Sequence, residues 1–293
     1  MSKQSIKFYH DHEVRAVWDE EHSKWWFSIV DITKAITESP NPRKYWSVLK
    51  SRLKKSNNEL TTKCSQLKLS ASDGKKYKTD CYAQEDILDI VKAFPSKKTD
   101  DFLDWFTYSD NTIDGRSKKK AYTFIESNMV ADKDIGTVKA LQQIHAYIFG
   151  GLYDFAGKIR TKTISKGNTL FCLAEYLPQN LKVIEQMPEN TFDEIVDKYV
   201  EMNVAHPFME GNGRSTRMWL DLIFKKRLGL CVDWSKINKN DYLSAMIESR
   251  MDSTKIRELL KQAMTDKIDD REIFMKGIDY SYYYEQEDLR EQR

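Results

Sequence analysis

Twelve consecutive residues, His206-Pro207-Phe208-Met209-Glu210-Gly211-Asn212-Gly213-Arg214-Ser215-Thr216-Arg217, gather a base, a carboxylate, two glycines and two arginines. Gly211 and Gly213 allow a tight turn and a close backbone approach to a ligand. The apolar pattern that follows predicts a helix from Asn212 to Leu228, ended by Gly229. The free N–H groups of its first turn make an anion site. Arg214 and Arg217, three apart, project from that turn and add positive charge. A polyphosphate is the anion that uses all of these groups. Glu210 offers a hard oxygen to a Mg²⁺ that bridges phosphate oxygens. His206 is the residue type that takes a proton near neutral pH. A capped turn with a structural histidine accounts for each feature singly, and their coincidence in one loop favours a site. The chain has neither GxxxxGK[ST] nor HExxH, so P-loop and zincin chemistry are unsupported.

The elements around the loop are helical. Thr191 to Ala205 predicts an amphipathic helix, with Thr191 and Glu194 as a capping box. Val138, Leu141, Ile144, His145 and Ile148 fall on one helix face, which makes His145 a core histidine. Lys255 to Met264 predicts another helix. Lys158 to Cys172 reads as strand-like, with its turn at Lys166-Gly167-Asn168.

The first 110 residues differ. Val14–Trp18 and Trp25–Val30 predict a β-hairpin around Asp19–Lys24, followed by a short helix capped by Asp31. Tyr45, Trp46, Leu49 and Leu53 mark a basic amphipathic helix, Asp73-Gly74 a hairpin turn, and Glu85–Phe94 a further helix. Residues 107–120 are polar and are read as the boundary between domains.

Of 293 residues, 40% are hydrophobic and 31% charged, the balance of a globular chain, and no stretch reaches the length of a membrane helix. The N-terminus lacks a continuous apolar run, so no secretion signal is expected. Cys64, Cys81, Cys172 and Cys231 form no CxxC pair and are expected as free thiols. The net charge of +2 hides an asymmetry: residues 43–78 hold eleven bases against Glu59 and Asp73. Such a stretch suggests a polyanionic partner, nucleic acid first.

The loop matches H-x-F-x-[DE]-G-N-G-R-x-x-R at every fixed position, and the chain there resembles the Fic family. Phe149 to Arg160, followed by Ile164-Ser165-Lys166-Gly167-Asn168, is similar to the family's helix end and hairpin flap. The likeness covers roughly residues 120–293. It implies a mainly α fold: a Fic helical bundle with a β-hairpin flap, preceded by a small α+β domain. It also implies transfer of AMP from ATP to a Ser, Thr or Tyr hydroxyl of a target protein. In that reading His206 is the general base and Glu210 holds Mg²⁺. Gly211, Asn212 and Gly213 hold the phosphates, Asn212 touching the α-phosphate. Arg214 reaches the β-phosphate and Arg217 the γ-phosphate. Family members that phosphorylate carry Lys at the position of Gly213 and lack the final Arg, and this chain has neither departure. Thr161, Lys162, Thr163, Ile164 and Ser165 would dock the target by strand addition, or form only a structural hairpin.

The tail, Asp279 to Arg290, either packs its tyrosines as an end helix or inhibits the site. Self-inhibiting Fic proteins carry [ST]-x-x-x-E-[GN], and Ser281 with Glu285 matches, while Gln286 departs from the last position. Glu285 would then pair with Arg217 in the γ-phosphate space.

Residues 8–105 resemble the Bro-N domain of phage antirepressor-like proteins. The likeness lies in Val14–Glu20, Trp26–Ile32, Tyr45–Leu53 and Ala71–Asp80. It implies DNA binding through residues 43–78, with protein docking as the alternative. Together with the lack of a secretion signal, this phage-type module makes a prokaryotic cytoplasmic setting the expectation. The expected organisation is 1–110, the Bro-N-like module; 111–265, the Fic domain; and 266–293, the inhibitory segment. The rival to an enzyme is a DNA-binding regulator with a secondary Fic domain. A different nucleotide donor, AMP removal and a homo-oligomer stay open.

Overall fold

The structure is a computed structural model, and it describes residues 3–56, 59–71, 74–124, 135–166 and 169–286. The chain divides into two compact units, Met1–Thr112 and Ile113–Gln286.

The first unit is built on β1 (Lys3–Tyr9), β2 (His12–Asp19), β3 (Lys24–Ser28), β4 (Ser65–Ser70) and β5 (Lys76–Ala83), an antiparallel sheet of order β1-β2-β3-β5-β4. The β2–β3 hairpin stands where the aromatic pattern places it, with Trp18 opposite Trp25. Two details differ. Ile29 and Val30 open α1 (Ile29–Thr37) instead of ending the strand, and Ser28, not Asp31, caps it by accepting from the Asp31 N–H. Asp31 instead takes a bidentate ion pair from Arg15 at 2.7 Å. The pair joins α1 to β2, a contact that local spacing does not reveal. Helix α2 (Pro42–Lys55) starts with Asn41 as cap and Pro42 at its first position. It buries Trp46 and Leu49 against Tyr82 and Phe94. Helices α3 (Gln84–Lys92) and α4 (Thr99–Tyr108) complete the unit. The turn expected at Asp73-Gly74 has Asp73 outside the described residues.

In the second unit the polar stretch 107–120 proves largely helical, because α5 spans Ile113–Phe124. Then come α6 (Val138–Phe149), α7 (Leu177–Gln186), α8 (Phe192–Ala205), α9 (Asn212–Leu228), α10 (Lys239–Glu248), α11 (Thr254–Ala263) and α12 (Arg271–Tyr283). Helix α9 runs through the core. Trp219, Leu220, Ile223 and Phe224 are fully buried, and α6 and α8 pack on it. The capping box of Thr191 and Glu194 and the left-handed stop at Gly229 form as the residues predict. The strand expected over Lys158–Cys172 is mostly irregular. Ladder pairing is confined to β6 (Ser165–Lys166) with β7 (Thr169–Leu170), with one further bond from the Phe171 N–H to the Ile164 carbonyl at 3.3 Å, so Thr161, Lys162, Thr163 and Ile164 form no strand. Gly167 and Asn168 are outside the described residues. The Arg160 guanidinium takes the Lys162 and Cys172 carbonyls on either side of the short ladder.

Helix α12 is seated by polar contacts to α5. Buried Asp279 accepts from Lys118 at 2.7 Å and from Tyr122, and the Tyr282 hydroxyl bonds Ser117 at 3.0 Å. Its end is fixed by the Tyr284 hydroxyl, 2.8 Å from the carbonyls of Trp234 and Ile237. Among the described residues no helix is long and apolar enough to cross a membrane. All four cysteines are free.

Candidate functional site

The loop between α8 and α9 is shaped by its own residues. His206 ends α8 in the left-handed region, with φ of 49°, and its N–H still reaches the Met202 carbonyl. Phe208 is fully buried and stacks on His145 at 3.8 Å. Asn212 clamps the Phe208 peptide from both sides: its Oδ1 accepts from the Phe208 N–H and its Nδ2 donates to the Phe208 carbonyl, both at 2.8 Å. The amide expected to touch a phosphate is therefore engaged in holding the loop. Gly211 starts α9 at φ 80°, and a Cβ there would run into the Phe149 ring.

His206 is half-buried beneath the Phe171 ring, stacked at 3.6 Å. Its Nδ1 lies 3.2 Å from the Asn203 carbonyl. A carbonyl only accepts, so Nδ1 carries the proton and Nε2 keeps its lone pair. Burial lowers the His206 pKa to about 4; the Asn203 carbonyl and Glu285 pull the other way without prevailing. The ring is thus neutral and basic at Nε2.

Two residues outside the loop hold it. His145, fully buried, accepts from the Gly157 N–H at Nδ1 and donates from Nε2 to the Glu210 carbonyl, both at 2.9 Å. Arg160, 4% exposed, meets four carbonyls: His206 at 2.7 Å, Lys162 at 2.6 Å, Cys172 at 2.5 Å and Ala205 at 3.1 Å. It caps the open carbonyls at the end of α8 and ties both ends of the flap to the His206 peptide. Sequence reasoning reads His145 only as core and gives Arg160 no role. A buried polar residue beside a glycine-rich turn is the signal that points to both.

Glu210 is more than half exposed. Its Oε1 accepts from the Gly211 N–H and from Arg214, each at 3.0 Å. Among the described residues no three acids, histidines or cysteines converge as a metal cluster. A single solvent-facing carboxylate suits a Mg²⁺ that takes its remaining ligands from phosphates and water. Arg214 is 3% exposed and also pairs with Asp114 of α5.

Arg217 is 2% exposed and its whole fork is engaged. Nε donates to Ser281 Oγ at 2.8 Å and Nη1 to the Tyr242 hydroxyl at 3.2 Å. Nη2 donates to the Ser281 carbonyl at 2.7 Å and to Glu285 at 2.6 Å. Lys166 of β6 approaches the second Glu285 oxygen at 3.7 Å. Burial pushes the Glu285 carboxyl up, but Arg217, Lys166 and Arg214 override it and hold it at about 2. Glu285 is therefore an anion, and it lies on the helix start itself, since a Cβ on Gly213 would collide with its Oε1. Of the residues singled out, His206, Glu210 to Arg214, Arg217, Ser281 and Glu285 converge around the start of α9. Thr161 to Ser165 lie on the flap that Arg160 fastens beside His206.

This loop is shared with known proteins. Residues 136–224 match the Fic/DOC family. The matched segment runs from the turn before α6 to Phe224, near the end of α9. Over 120 residues the chain is 31% identical to protein adenylyltransferase VbhT of Bartonella schoenbuchensis, covering 37% of this chain and 25% of that protein. It is 30% identical over 130 residues to probable protein adenylyltransferase y4lH of Sinorhizobium fredii, covering 40% and 66%. The chain thus spans a quarter of the first relative and just under two thirds of the second. Among solved structures, BepC of Bartonella tribocorum with bound AMPPNP aligns at 20% identity and a TM-score of 0.44, over 52% of this chain and 84% of that one.

Proposed function

We propose that this chain is a protein adenylyltransferase held inactive by its own α12 and the turn that follows it. The observation that carries the reading is Glu285, an anion seated on the Fic helix start and bonded to buried Arg217. In the released state the N–H groups at Gly211, Asn212 and Gly213, with Arg214 and Arg217, bind the phosphates of ATP. Glu210 would hold a Mg²⁺, which would supply positive charge against the leaving pyrophosphate. His206 Nε2 takes the proton from the acceptor hydroxyl. That oxygen forms a bond to the α-phosphorus as the bond to the bridging oxygen breaks. Once Glu285 has left, the backbone N–H groups and arginines already surround the phosphate position, and such preplaced donors stabilise developing charge.

Glu285→Gly should raise AMP transfer, read with labelled ATP, Mg²⁺ and bacterial lysate, by up to about 100-fold if ~1% of the wild type is released. The double variant Glu285→Gly, Arg217→Ala should lose that gain. Equal activity in Glu285→Gly and wild type makes α12 merely structural. Removing Glu285 also leaves Arg217 buried without its carboxylate, a change that costs about 3–5 kcal/mol for a buried pair. The variant should therefore melt earlier and be rescued by ATP more than the wild type is.

A second reading concerns the first unit: its basic stretch binds duplex DNA. The exposed side of α2 presents Arg43, Lys44, Arg52, Lys54 and Lys55, and none of them makes an ion pair among the described residues. On the hairpin, exposed Lys68 stands directly opposite exposed Lys78. Like charges so placed destabilise a sheet, and a polyanion would relieve them.

A further inference from the structure

We propose that the acceptor is an extended segment with acidic residues beside its hydroxyl and a large apolar side chain further along. The acids would face Lys158 and Lys162, and the apolar group would settle on Leu170, Leu173 and Tyr176 together with the end of α10. This rests on the adenylyl-transfer reading and names the class of protein segment that the site takes.

Three observations carry it. First, the flap is positive throughout: between Asp154 and Glu175 it holds Lys158, Arg160, Lys162 and Lys166 and no acid. Arg160 is buried and Lys166 faces Glu285, whereas Lys158 and Lys162 are exposed and form no ion pair among the described residues. Arg160 fastens this flap beside His206, so a segment docked on it meets a positive surface, and acidic neighbours of its hydroxyl gain from these two cations.

Second, exposed apolar side chains gather at the same mouth. Apart from Val183 on α7, the large apolar side chains that stand exposed among the described residues of the second unit lie on three segments. These are the loop itself at Met209, the flap exit running into α7, and the end of α10. Leu170 is 52% exposed, Tyr176 59%, Ile247 61% and Met251 95%. Single exposed apolar residues are ordinary, but a concentration around a catalytic mouth marks an interaction surface.

Third, these segments are joined. The Arg250 guanidinium donates to the Leu170 carbonyl at 2.8 Å, so the end of α10 lies within one arginine side chain of the flap. Phe171, the next residue, stacks on His206. The acids at the α10 end are already engaged, Glu248 with Lys255 and Asp252 with Thr254. That end therefore offers an apolar surface beside a positive flap.

The test uses full-length Glu285→Gly enzyme, labelled ATP, Mg²⁺ and synthetic peptides that each carry one Ser, Thr or Tyr. The flanks are acidic or basic, and the distal position is Leu, Phe or Ser. Acidic–apolar peptides should be labelled with kcat/KM about tenfold or more above basic–polar ones. Adding Ile247→Asp and Met251→Asp should erase the apolar preference, and Lys162→Glu should reverse the charge preference. The replaced side chains are exposed, so the fold should tolerate them. Equal labelling of all peptides, or a preference for basic flanks, overturns the inference. If lysate proteins or the enzyme itself are labelled while peptides show no preference, only this inference falls. If nothing is labelled at all, the transfer reading falls and takes this inference with it.

Discussion

Two groups of cations in this chain have opposite settings. Arg214 and Arg217 at the start of α9 are buried, and each is met by a carboxylate: Asp114 and Glu210 for one, Glu285 for the other. On α2, Arg43, Lys44, Arg52, Lys54 and Lys55 are exposed and form no ion pair among the described residues. A buried cation must be neutralised by one particular acid, because water cannot do it; in the proposed reading the position of Glu285 opens or shuts the anion site. An exposed cation is screened by salt and waits for any polyanion. The net charge of +2 conceals both arrangements.

The largest expected effect separates the two settings at the catalytic end. His206→Ala should lower AMP transfer in the Glu285→Gly background by about 10²–10⁴-fold, the worth of general base catalysis. ATP affinity should stay nearly intact, since the ring acts on the hydroxyl. DNA binding through α2 should not change. Full transfer activity in this variant removes His206 from the mechanism and leaves α9 as a nucleotide site with another base.

A smaller effect is expected at α2. If its cations touch phosphates, the affinity of the full-length protein for duplex DNA falls steeply as salt rises. Replacing Arg43, Lys44 and Arg52 by Gln should reduce the slope of log K against log salt by roughly 0.9 for each phosphate no longer neutralised. AMP transfer should be unaffected. Absence of binding to duplex DNA even at low salt assigns the α2 face to a protein partner and breaks the parallel between the two cation groups.

The difference between the settings also governs what the sequence reveals. The α8–loop–α9 segment is legible because its determinants are local: a capping box at Thr191, glycines at 211 and 213, and a stop at Gly229. The exposed bases of α2 are legible for the same reason, as a helix of apolar period with an uncompensated charge run. What the residues do not reveal depends on partners distant in sequence. Asp31 reads as a cap, but Arg15 takes it and Ser28 does the capping. Lys158–Cys172 reads as a strand, but Arg160 draws its carbonyls to the end of α8. Asp114, in a stretch that reads as a linker, lies on α5 and pairs with Arg214. Strand β1 and helices α7 and α10 leave no comparable signature, since their apolar spacing is short and is decided by packing. A motif announces its residues, and a tertiary contact announces only its outcome.

The smallest expected effect is on the pH profile, and it bears on how far burial of the site survives release. In the proposed transfer His206 must be neutral to act. Its ordinary pKa is 6.5, and burial lowers it to about 4 in this structure, with Lys166 and Arg160 acting in the same direction. A depressed pKa keeps the imidazole competent at lower pH, so the acid limb of the rate should lie well below the ordinary histidine value. Glu285 favours the protonated ring, and Glu285→Gly removes that influence, so loss of the carboxylate alone cannot raise the midpoint. Transfer by Glu285→Gly should therefore be nearly flat from about pH 8 to about pH 5.5 and fall only below that. The stacked Phe171 ring supplies part of the burial. Adding Phe171→Ala should move the acid limb up toward 6.5 while the rate at about pH 8 changes much less. An acid limb already near 6.5 in Glu285→Gly means that water reaches His206 once Glu285 is gone. The carboxylate would then be shielding the base as well as occupying the anion site.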